Sequence, residues 1–463
     1  MNKGTDDVVS TPVDPSLLRS LRTAHPTFTV AEPVCVIDDG RLVVRFRFTV
    51  GQHTFEPSIT LSGLEAHELT RANEDPAREL LRALAVVEAF SYWKAFCSPE
   101  LVIPGSGSRL TWWNDFWAPA LGEFFYRNDI DFTAPDFLTL RATGPDDPAP
   151  RARAVEAPAA PALVMFSGGK DSLALALTTR HAMPIDVFLY NPTPGQLALT
   201  GTLRPGRVIT LERRILPDLL RLNAQGHPNG HTPYSAYLAF AAMLAGYLRG
   251  NSLVLAGNSR SDDEPNISAY RGRPVNHQWT KTYEFEANLA DYRHRWVPAA
   301  PPYASPLRPL LELQIVSLLT DDVDAYLRTA SCNQAKSTGW CRACAKCAWV
   351  FLATSVLFGH DLAVAKLGGD LLEDRSLSGL YERMAGLHGT KPFECTGSED
   401  EVRACLRSVL ERDAPVPAAL LLMAEDTRIQ QAPTLAEVLA GWGADDLVPE
   451  AIRPYVEKAR GPA

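Results

Sequence analysis

The hexapeptide SGGKDS at residues 167–172 constrains the fold of this chain more than any other stretch. It follows the apolar run 162–166 and precedes the Leu/Ala-rich run 173–177. A short apolar run after a proline is typical of a buried strand, and a Leu/Ala run is typical of a helix. A strand, a glycine turn and a helix aim backbone N–H groups and a helix N-terminus at an anion. The sequence therefore predicts a phosphate-binding loop that opens an α/β unit.

Each residue type in this loop has a chemical role. The loop consists of Ser167, Gly168, Gly169, Lys170, Asp171 and Ser172. The glycines let phosphate approach the main chain, the serines offer hydroxyl donors, Lys170 supplies charge, and Asp171 can hold Mg²⁺ or cap the helix. The pattern differs from the Walker loop, which has four residues between its glycines. It resembles the SGGxDS loop of the ATP pyrophosphatases, which split ATP into AMP and pyrophosphate. The alternative is an ordinary glycine-rich turn, which the flanking strand and helix disfavour.

Composition narrows the functional class. With 46% apolar and 21% charged residues, the 463-residue chain is typical of a globular protein of two or three domains. The net charge of −9 disfavours nucleic acid as the main partner, because such binding depends on Lys and Arg. We expect no membrane span and no signal peptide, because no apolar run is long enough. The expectation is a cytoplasmic enzyme, and the sequence leaves its oligomeric state open.

Changes in composition divide the chain into five segments. Residues 1–30 are predicted to be a disordered tail, and 31–141 an α+β N-terminal domain with a hairpin turn at Asp38-Asp39-Gly40. Residues 142–161 are rich in Pro and Ala, which predicts a linker. Residues 162–360 form the predicted nucleotide domain, and 361–463 a helical region.

Strands alternate with helices after the linker, which predicts an open, mostly parallel sheet of the ATP pyrophosphatase (adenine nucleotide alpha hydrolase-like) type. Ligands bind beyond the carboxyl ends of such strands, where Asn191 and Gly257-Asn258 fall. The residues after Asn258 include Arg260 and Asp262, which suit a contact with magnesium and pyrophosphate. A solvated acidic loop is the alternative for this stretch.

Four of the eight cysteines crowd into sixteen residues, which indicates a metal rather than disulfides in a cytosolic chain. They are Cys332, Cys341, Cys344 and Cys347. Their spacing can close a tetrahedral zinc site with a structural role. An iron–sulfur cluster and buried free cysteines remain alternatives. The spacing also resembles that of 7-cyano-7-deazaguanine synthase, which carries a zinc site, so the resemblance supports zinc.

Proton-carrying residues cluster at two places. His277, Lys281 and Glu286 lie within ten residues, and Cys395 lies in the later stretch Lys391-Pro392-Phe393-Glu394-Cys395. His277 is the first choice for a base, because imidazole changes charge near neutral pH. Lys281 is better suited to hold a carboxylate or phosphate. A structural role is the alternative for each, above all for Cys395.

Several of these pieces together resemble the MurL-type UDP-N-acetylmuramoyl-L-alanyl-L-glutamate epimerase family. The matching pieces are Ser91–Ala95, Leu121–Asn128, the 167–172 loop, Val275–Gln278, Lys281, Phe285-Glu286, Ser331–Asn333, Trp340–Cys347 and Lys391–Cys395. They run in order from about residue 40 to 410, and as a set they are specific.

The resemblance implies ATP-dependent inversion of the terminal L-glutamate of a nucleotide-linked muropeptide precursor, with release of AMP and pyrophosphate. ATP and Mg²⁺ are then the only cofactors needed besides structural zinc. A carboxylate resists losing its α-proton because a second negative charge would form, and adenylation removes that obstacle. The sequence departs from the family pattern at Ser259, where the family has Glu, and at Ser167, where it has Gly. These departures leave open another peptide substrate, and an adenylating ligase or amidotransferase is the alternative function. A tRNA thiolase and a metal-stapled binding module fit the sequence less well.

Overall fold

The computed structural model describes residues 12–146, 160–332, 334–335, 339–443 and 446–459. The strands are β1 Thr27–Val30, β2 Val34–Asp38, β3 Arg41–Arg45, β4 Phe48–Val50, β5 His53–Phe55, β6 Ser58–Ser62, β7 Glu100–Ser106, β8 Thr139–Gly144, β9 Ala162–Met165, β10 Ile185–Tyr190, β11 Val208–Arg213, β12 Leu253–Leu255, β13 Ile267–Tyr270, β14 Arg273–Val275 and β15 Tyr303–Ala304. The helices are α1 Pro15–Ala24, α2 Ala66–Thr70, α3 Asp75–Trp93, α4 Leu110–Ala120, α5 Gly122–Arg127, α6 Lys170–Ala182, α7 Pro194–Leu203, α8 Pro217–Ala224, α9 Tyr234–Arg249, α10 Tyr283–Trp296, α11 Glu312–Ser317, α12 Val323–Arg328, α13 Ala345–Leu357, α14 His360–Leu367, α15 Ser378–Met384, α16 Glu399–Leu410, α17 Thr427–Gln430, α18 Leu435–Ala440 and α19 Arg453–Val456.

An eight-stranded sheet forms the centre of the molecule, in the order β15-β12-β9-β10-β11-β6-β3-β2. The first five strands run parallel to one another. Alternate residues of β9 enter different cores: Leu163 belongs to one, and Ala162 and Val164 to the other. A strand buried on both faces explains why this run is apolar throughout. The predicted α/β class with a mostly parallel sheet is confirmed.

The order of the parallel strands creates a switch point between β9 and β12. From β9 the chain continues to β10 and β11 on one side, and later returns to the other side as β12 and β15. Ligands of open parallel sheets bind in the crevice where the order reverses, beyond the carboxyl ends of the strands. The 167–172 loop follows β9 and residues 257–258 follow β12, so both border this crevice.

The predicted N-terminal domain shares the central sheet. Strand β6 pairs antiparallel with β11, and β3 and β2 extend the sheet to its edge. One apolar core also contains residues from both sides of the predicted linker, among them Phe90 and Phe188. The boundary at 142–161 therefore separates segments of the sequence that share one sheet and one core. Most of the predicted linker, residues 147–159, lies outside the described residues.

The predicted disordered tail is wrong for residues 15–30. Helix α1 is capped by Asp14, whose carboxylate accepts from the Ser16 N–H at 2.8 Å. Strand β1 lies inside a five-stranded sheet of order β5-β4-β1-β7-β8. Phe28 and Val30 are fully buried, so their alternation marks a strand that the prediction missed. Residues 1–11 of the predicted tail lie outside the described residues.

Helices dominate the chain after residue 361, as predicted, and pack on α13 around a core of their own. That core includes Cys332, Cys344 and Cys347, so the cysteine cluster packs with this helical part. Among the described residues, no helix is long and apolar enough to cross a membrane.

Candidate active site

The 167–172 loop forms the turn from β9 into α6. Gly168 has a φ of +76°, a conformation that glycine adopts at little cost. The Ser172 hydroxyl accepts from the Ser167 N–H at 3.2 Å and donates to the Gly169 carbonyl at 3.0 Å. Among the described residues, no side chain caps α6, whose N-cap is Gly169. The first N–H groups of α6 are therefore available to an anion.

Gly257 brings the loop after β12 against the start of α6. A Cβ at this position would lie 3.1 Å from the Asp171 carbonyl oxygen and 3.2 Å from its carbon. Those distances are too short for a side chain to fit without moving the backbone. The glycine predicted from sequence to bind nucleotide thus has a packing role, which is to let the two loops of the crevice approach.

Lys170 lies at the centre of a buried charge network. Its ammonium group donates to Asp171 Oδ1 at 2.5 Å and to Glu312 Oε2 at 2.8 Å. Trp349 Nε1 also donates to Glu312 Oε2, at 2.6 Å. The Lys170 and Glu312 side chains are only 3% and 4% exposed, so this pair is held in the interior.

Electrostatics keep Lys170 and Glu312 ionised. Burial alone would raise the pKa of Glu312, but the Lys170 ammonium outweighs burial and lowers it to about 2. Burial would likewise lower the pKa of Lys170, whereas Asp171 and Glu312 raise it above its ordinary value. The Glu312 carboxylate therefore fixes a permanently charged lysine beside the anion-binding end of α6.

Lys281 and Cys395 meet, although 114 residues separate them in sequence. The Lys281 ammonium donates to Cys395 Sγ at 3.2 Å and to Gln278 Oε1 at 2.8 Å, and lies 3.9 Å from Asp262 Oδ1. Burial would lower the pKa of Lys281, but Cys395, Asp262 and Asp171 raise it. Lys281 thus stays cationic between the thiol and the carboxylates of the crevice, which suits charge holding rather than proton removal.

Glu286 forms an ion pair inside the protein. It is fully buried, accepts from the Ser305 N–H at 2.7 Å, and pairs with Arg308 at 3.2 Å. Arg308 in turn donates to the carbonyl oxygens of Ser259 and Lys281. Because both oxygens of its carboxylate are engaged, the contacts of Glu286 favour a positioning role, in which it holds Arg308 and, through it, the backbone of Lys281. Its predicted part in proton transfer stays a prediction.

The remaining residues predicted to bind nucleotide are mostly engaged with the protein. The Asn191 side chain exchanges two hydrogen bonds of 2.9 Å with the backbone of Arg213, which joins the ends of β10 and β11. The Asn258 amide donates to Ser305 Oγ at 2.9 Å, and Asp262 caps its own turn by accepting from Ser259 N–H at 2.7 Å.

Arg260 lies elsewhere. Its side chain packs along glycines of the C-terminal segment, with Nη2 3.2 Å from where a Cβ of Gly441 would stand. Among the described residues, no hydrogen bond or ion pair links it to the 167–172 loop. The structure therefore does not bring Arg260 to the predicted pyrophosphate site.

His277 belongs to a cluster that the sequence did not reveal. Its Nδ1 contacts Glu123 Oε2, and His231 Nδ1 lies 3.2 Å from the same oxygen. Burial would raise the pKa of Glu123, but hydrogen bonding by His277 and the nearby charges lower it to about 2. An ionised carboxylate only accepts hydrogen bonds, so the His277 Nδ1 that bonds to Glu123 carries the proton in this arrangement.

Cations surround this cluster. Arg127 Nε donates to Glu123 Oε1 at 2.6 Å, and the buried Lys94 donates to the carbonyls of Gly230 and His231. The three ligand atoms of Glu123, His231 and His277 lie close enough to hold a metal ion. A divalent ion would, however, lie beside the Arg127 cation, with one carboxylate to neutralise it. The charges therefore favour a proton-handling group over a metal site.

The four clustered cysteines fit a single metal ion. Their sulfurs all lie within 4.8 Å of one another, and the Sγ of Cys347 is 3.7 Å from Cys341 and 3.6 Å from Cys344. Four Zn–S bonds of about 2.3 Å in a tetrahedron separate the sulfurs by about 3.8 Å. Cysteines that each bind a different iron of a cluster lie farther apart. The donor set and the spacing therefore fit zinc.

The cysteine cluster also contacts the phosphate loop. Two residues before Cys332, the Ala330 N–H donates to the Gly168 carbonyl at 3.3 Å. A Cβ at Gly169 would lie 3.4 Å from Ser331 Cβ. Cys344 and Cys347 anchor the start of α13, which carries Trp349 to Glu312. A metal held here would fix both segments against the loop.

Sequence reasoning missed three residues of this region: Glu123, His231 and Glu312. Glu123 lies within the matching piece 121–128, so a motif signal was present but gave no role. His231 and Glu312 lie in stretches without any motif, and only the fold brings them to the crevice.

Comparison with known proteins identifies the family of this chain. Residues 20–306 match the model of the MurL N-terminal domain, and residues 328–438 that of the MurL C-terminal domain. Three relatives bear the name UDP-N-acetyl-alpha-D-muramoyl-L-alanyl-L-glutamate epimerase. The Micromonospora protein is 32% identical over 88% of this chain and 91% of its own. The Salinispora tropica protein is 30% identical over 84% and 87%, and the Xanthomonas oryzae protein 32% identical over 74% and 76%. No solved structure matches the chain significantly. The chain, which contains both domains in order, belongs to the MurL family.

Proposed function

We propose that this protein is an ATP-dependent epimerase that inverts the terminal L-glutamate of UDP-MurNAc-L-Ala-L-Glu for peptidoglycan precursor synthesis. The relatives named for that reaction support the substrate. The single observation that carries ATP dependence is the 167–172 loop at the switch point of the sheet, with Lys170 held charged by Glu312. We propose that the sheet is of the ATP pyrophosphatase type.

In the proposed first step, an oxygen of the glutamate α-carboxylate attacks the α-phosphorus of ATP. The bond to the β-phosphate oxygen breaks, and pyrophosphate leaves with Mg²⁺. The N-terminus of α6, Lys170 and the loop hydroxyls bind the departing charge, which is where electrostatic stabilisation counts most. Asp171, whose side chain is 28% exposed, is the magnesium ligand of this proposal.

In the second step, the acyl adenylate loses its α-proton and regains one on the opposite face. His277 is the proposed base, with Cys395 as the group on the other face. Lys281, 3.2 Å from the thiol, holds negative charge at Cys395 or at the substrate. Water then cleaves the acyl–phosphate bond and releases AMP, so each turnover consumes one ATP and one water.

Product analysis tests this proposal directly. The protein is incubated with ATP, Mg²⁺ and UDP-MurNAc-L-Ala-L-Glu in D₂O, and nucleotides and peptide are analysed. We expect AMP and pyrophosphate in equal amounts, and one deuterium at the α-carbon of the D-glutamyl product. ADP and phosphate would refute the loop assignment. A product that retains its α-hydrogen would refute epimerisation through a carbanion and favour the ligase.

A further inference from the structure

Two histidines lie against one buried carboxylate. The carboxylate, Glu123, was not among the predicted site residues. Glu123 lies on α5 and is 6% exposed, whereas the His231 and His277 side chains are 19% and 22% exposed. The carboxylate is thus the most buried part of the cluster, and the imidazoles are its more exposed part. This layering is typical of a group that acts through its neighbours rather than on a ligand.

We propose that Glu123 is the positioning residue for His277: it holds the imidazole by Nδ1–H and leaves Nε2 as the atom that transfers the substrate α-proton. This inference rests on the proposed epimerisation. A carboxylate that accepts from one ring nitrogen selects the tautomer whose other nitrogen has a free lone pair. When Nε2 takes the proton, the imidazolium gains a charge that the Glu123 carboxylate stabilises.

The surroundings of Glu123 keep it ready for this role. Arg127 binds its other oxygen, Oε1, at 2.6 Å, so the carboxylate cannot rotate away from the histidines. Burial and the nearby His277 lower the pKa of His231 to about 3, so that imidazole is neutral at pH 7. His231 is therefore a neutral imidazole beside Glu123, and His277 is the ring that hydrogen-bonds to the carboxylate.

Hydrogen bonds from neighbouring side chains hold the loop that carries His231. Asn128 Nδ2 donates to the Asn229 carbonyl at 2.9 Å, and Lys94 donates to the next two carbonyls. Burial lowers the pKa of Lys94 to about 7, although Glu123 opposes the shift. Lys94, Arg127 and His231 are thus the charged or titratable groups that face the Glu123–His277 pair.

Glu123→Gln tests the inference, because the amide keeps the shape but loses the charge. Two rates are measured in D₂O with the muropeptide substrate: AMP formation and α-deuterium incorporation. We expect the ratio of deuterium incorporation to AMP formation to fall about 100-fold. Glu123→Asp, which keeps the charge, should restore part of that ratio. The matched control is Glu79→Gln, another buried glutamate, which accepts from Arg109 at 3.1 Å and should leave the ratio unchanged.

Nitrogen-15 spectra of the histidine side chains give a readout that is independent of turnover. The wild-type protein should show His277 protonated at Nδ1, and Glu123→Gln should mix its tautomers. His231→Asn, which keeps a donor to Glu123, should retain the ratio within about tenfold. Loss of deuterium in His231→Asn alone would make His231 the base and overturn the inference.

Three further outcomes show whether the positioning role, the epimerisation or the absence of a metal ion is wrong. An unchanged ratio in Glu123→Gln, with deuterium present in the wild-type product, refutes the positioning role alone. Absence of deuterium in the wild-type product refutes the epimerisation and this inference together. A divalent ion that metal analysis finds in the wild type, and that Glu123→Gln loses, would make the three residues metal ligands instead.

Discussion

Glu312→Gln tests whether the buried charge network beside the loop is built as described. A glutamate pKa that falls from 4.5 to about 2 on folding corresponds to about 3 kcal/mol of folding free energy at neutral pH. Removal of one partner of a buried ion pair costs about 3–5 kcal/mol, which agrees. Asp171 remains as a partner of Lys170, and glutamine can still accept from Trp349. We therefore expect a loss of about 3 kcal/mol.

The pH dependence of the unfolding free energy provides the sharper test. Because the pKa of Glu312 is lowered on folding, its stabilisation is present above the unfolded value of 4.5 and is lost as the pH falls towards 2. The difference in unfolding free energy between wild type and Glu312→Gln should shrink by about 1 kcal/mol from pH 7 to pH 4. Urea unfolding at pH 7, 5 and 4 measures it.

An exposed glutamate provides the control. Glu411 is 60% exposed and pairs with Arg407 within one helix, so Glu411→Gln should cost less than about 0.5 kcal/mol at every pH. Equal stability of wild type and Glu312→Gln at pH 7 would refute the buried pair. A loss that stays constant from pH 7 to pH 4 would show that packing, not charge, is responsible.

Three further variants address the chemistry and the metal. Lys170→Ala and Asp171→Asn should each reduce substrate-dependent AMP formation at least 100-fold, because the pyrophosphate charge is no longer neutralised; Lys458→Ala, at an exposed lysine far along the chain, should not. Cys344→Ser should lower the zinc content from one ion per chain and make residues 328–438 more sensitive to protease, whereas Cys35→Ser should retain the metal; iron with sulfide in the wild type would contradict this. His277→Ala should abolish deuterium incorporation while some AMP formation persists, and equal loss of both would place His277 in substrate binding.

The strand–loop–helix unit was predictable because its cause is local. The apolar run, the two glycines and the Leu/Ala run each fix their own conformation, and they form β9, the turn and α6 as predicted. The predicted hairpin at Asp39-Gly40 also forms, with both residues at positive φ. The hydrophobic period and the turn propensity depend on adjacent residues, so both can be predicted from the sequence.

Strand partners were not predictable in the same way. The alternating pattern of β3 and β6 predicts half-buried strands, but it does not say that they extend the sheet of another segment. Pairing across about 150 residues depends on the shape of the whole core. A Pro/Ala-rich stretch was therefore interpreted as a domain boundary, although β6 and β11 lie side by side across it.

The same distinction between local and long-range causes applies to the candidate site. Lys281 and Cys395 could each be singled out by chemistry, but their contact could not be, because folding alone joins positions 114 residues apart. Glu286 and Arg260 were chosen for their residue type near a motif. Glu286 instead forms an internal ion pair, and Arg260 packs on the C-terminal segment. Residue type predicts what a side chain can do, and only its partners decide whether it remains available.

The proposed reaction requires that groups from both halves of the chain lie close together. In an acyl adenylate the α-carbon and the phosphorus are joined through one carbon and one oxygen, so they are at most about 4–5 Å apart. Groups that move the α-proton must therefore lie beside the loop that binds pyrophosphate. Asp171 of the loop acts electrostatically on Lys281, which in turn contacts Cys395. Phe393, two residues before Cys395, packs against the His277 ring. The segment that ends at Cys395 thus contacts both Lys281 and the proposed base His277, so the proposed site draws on both halves of the chain.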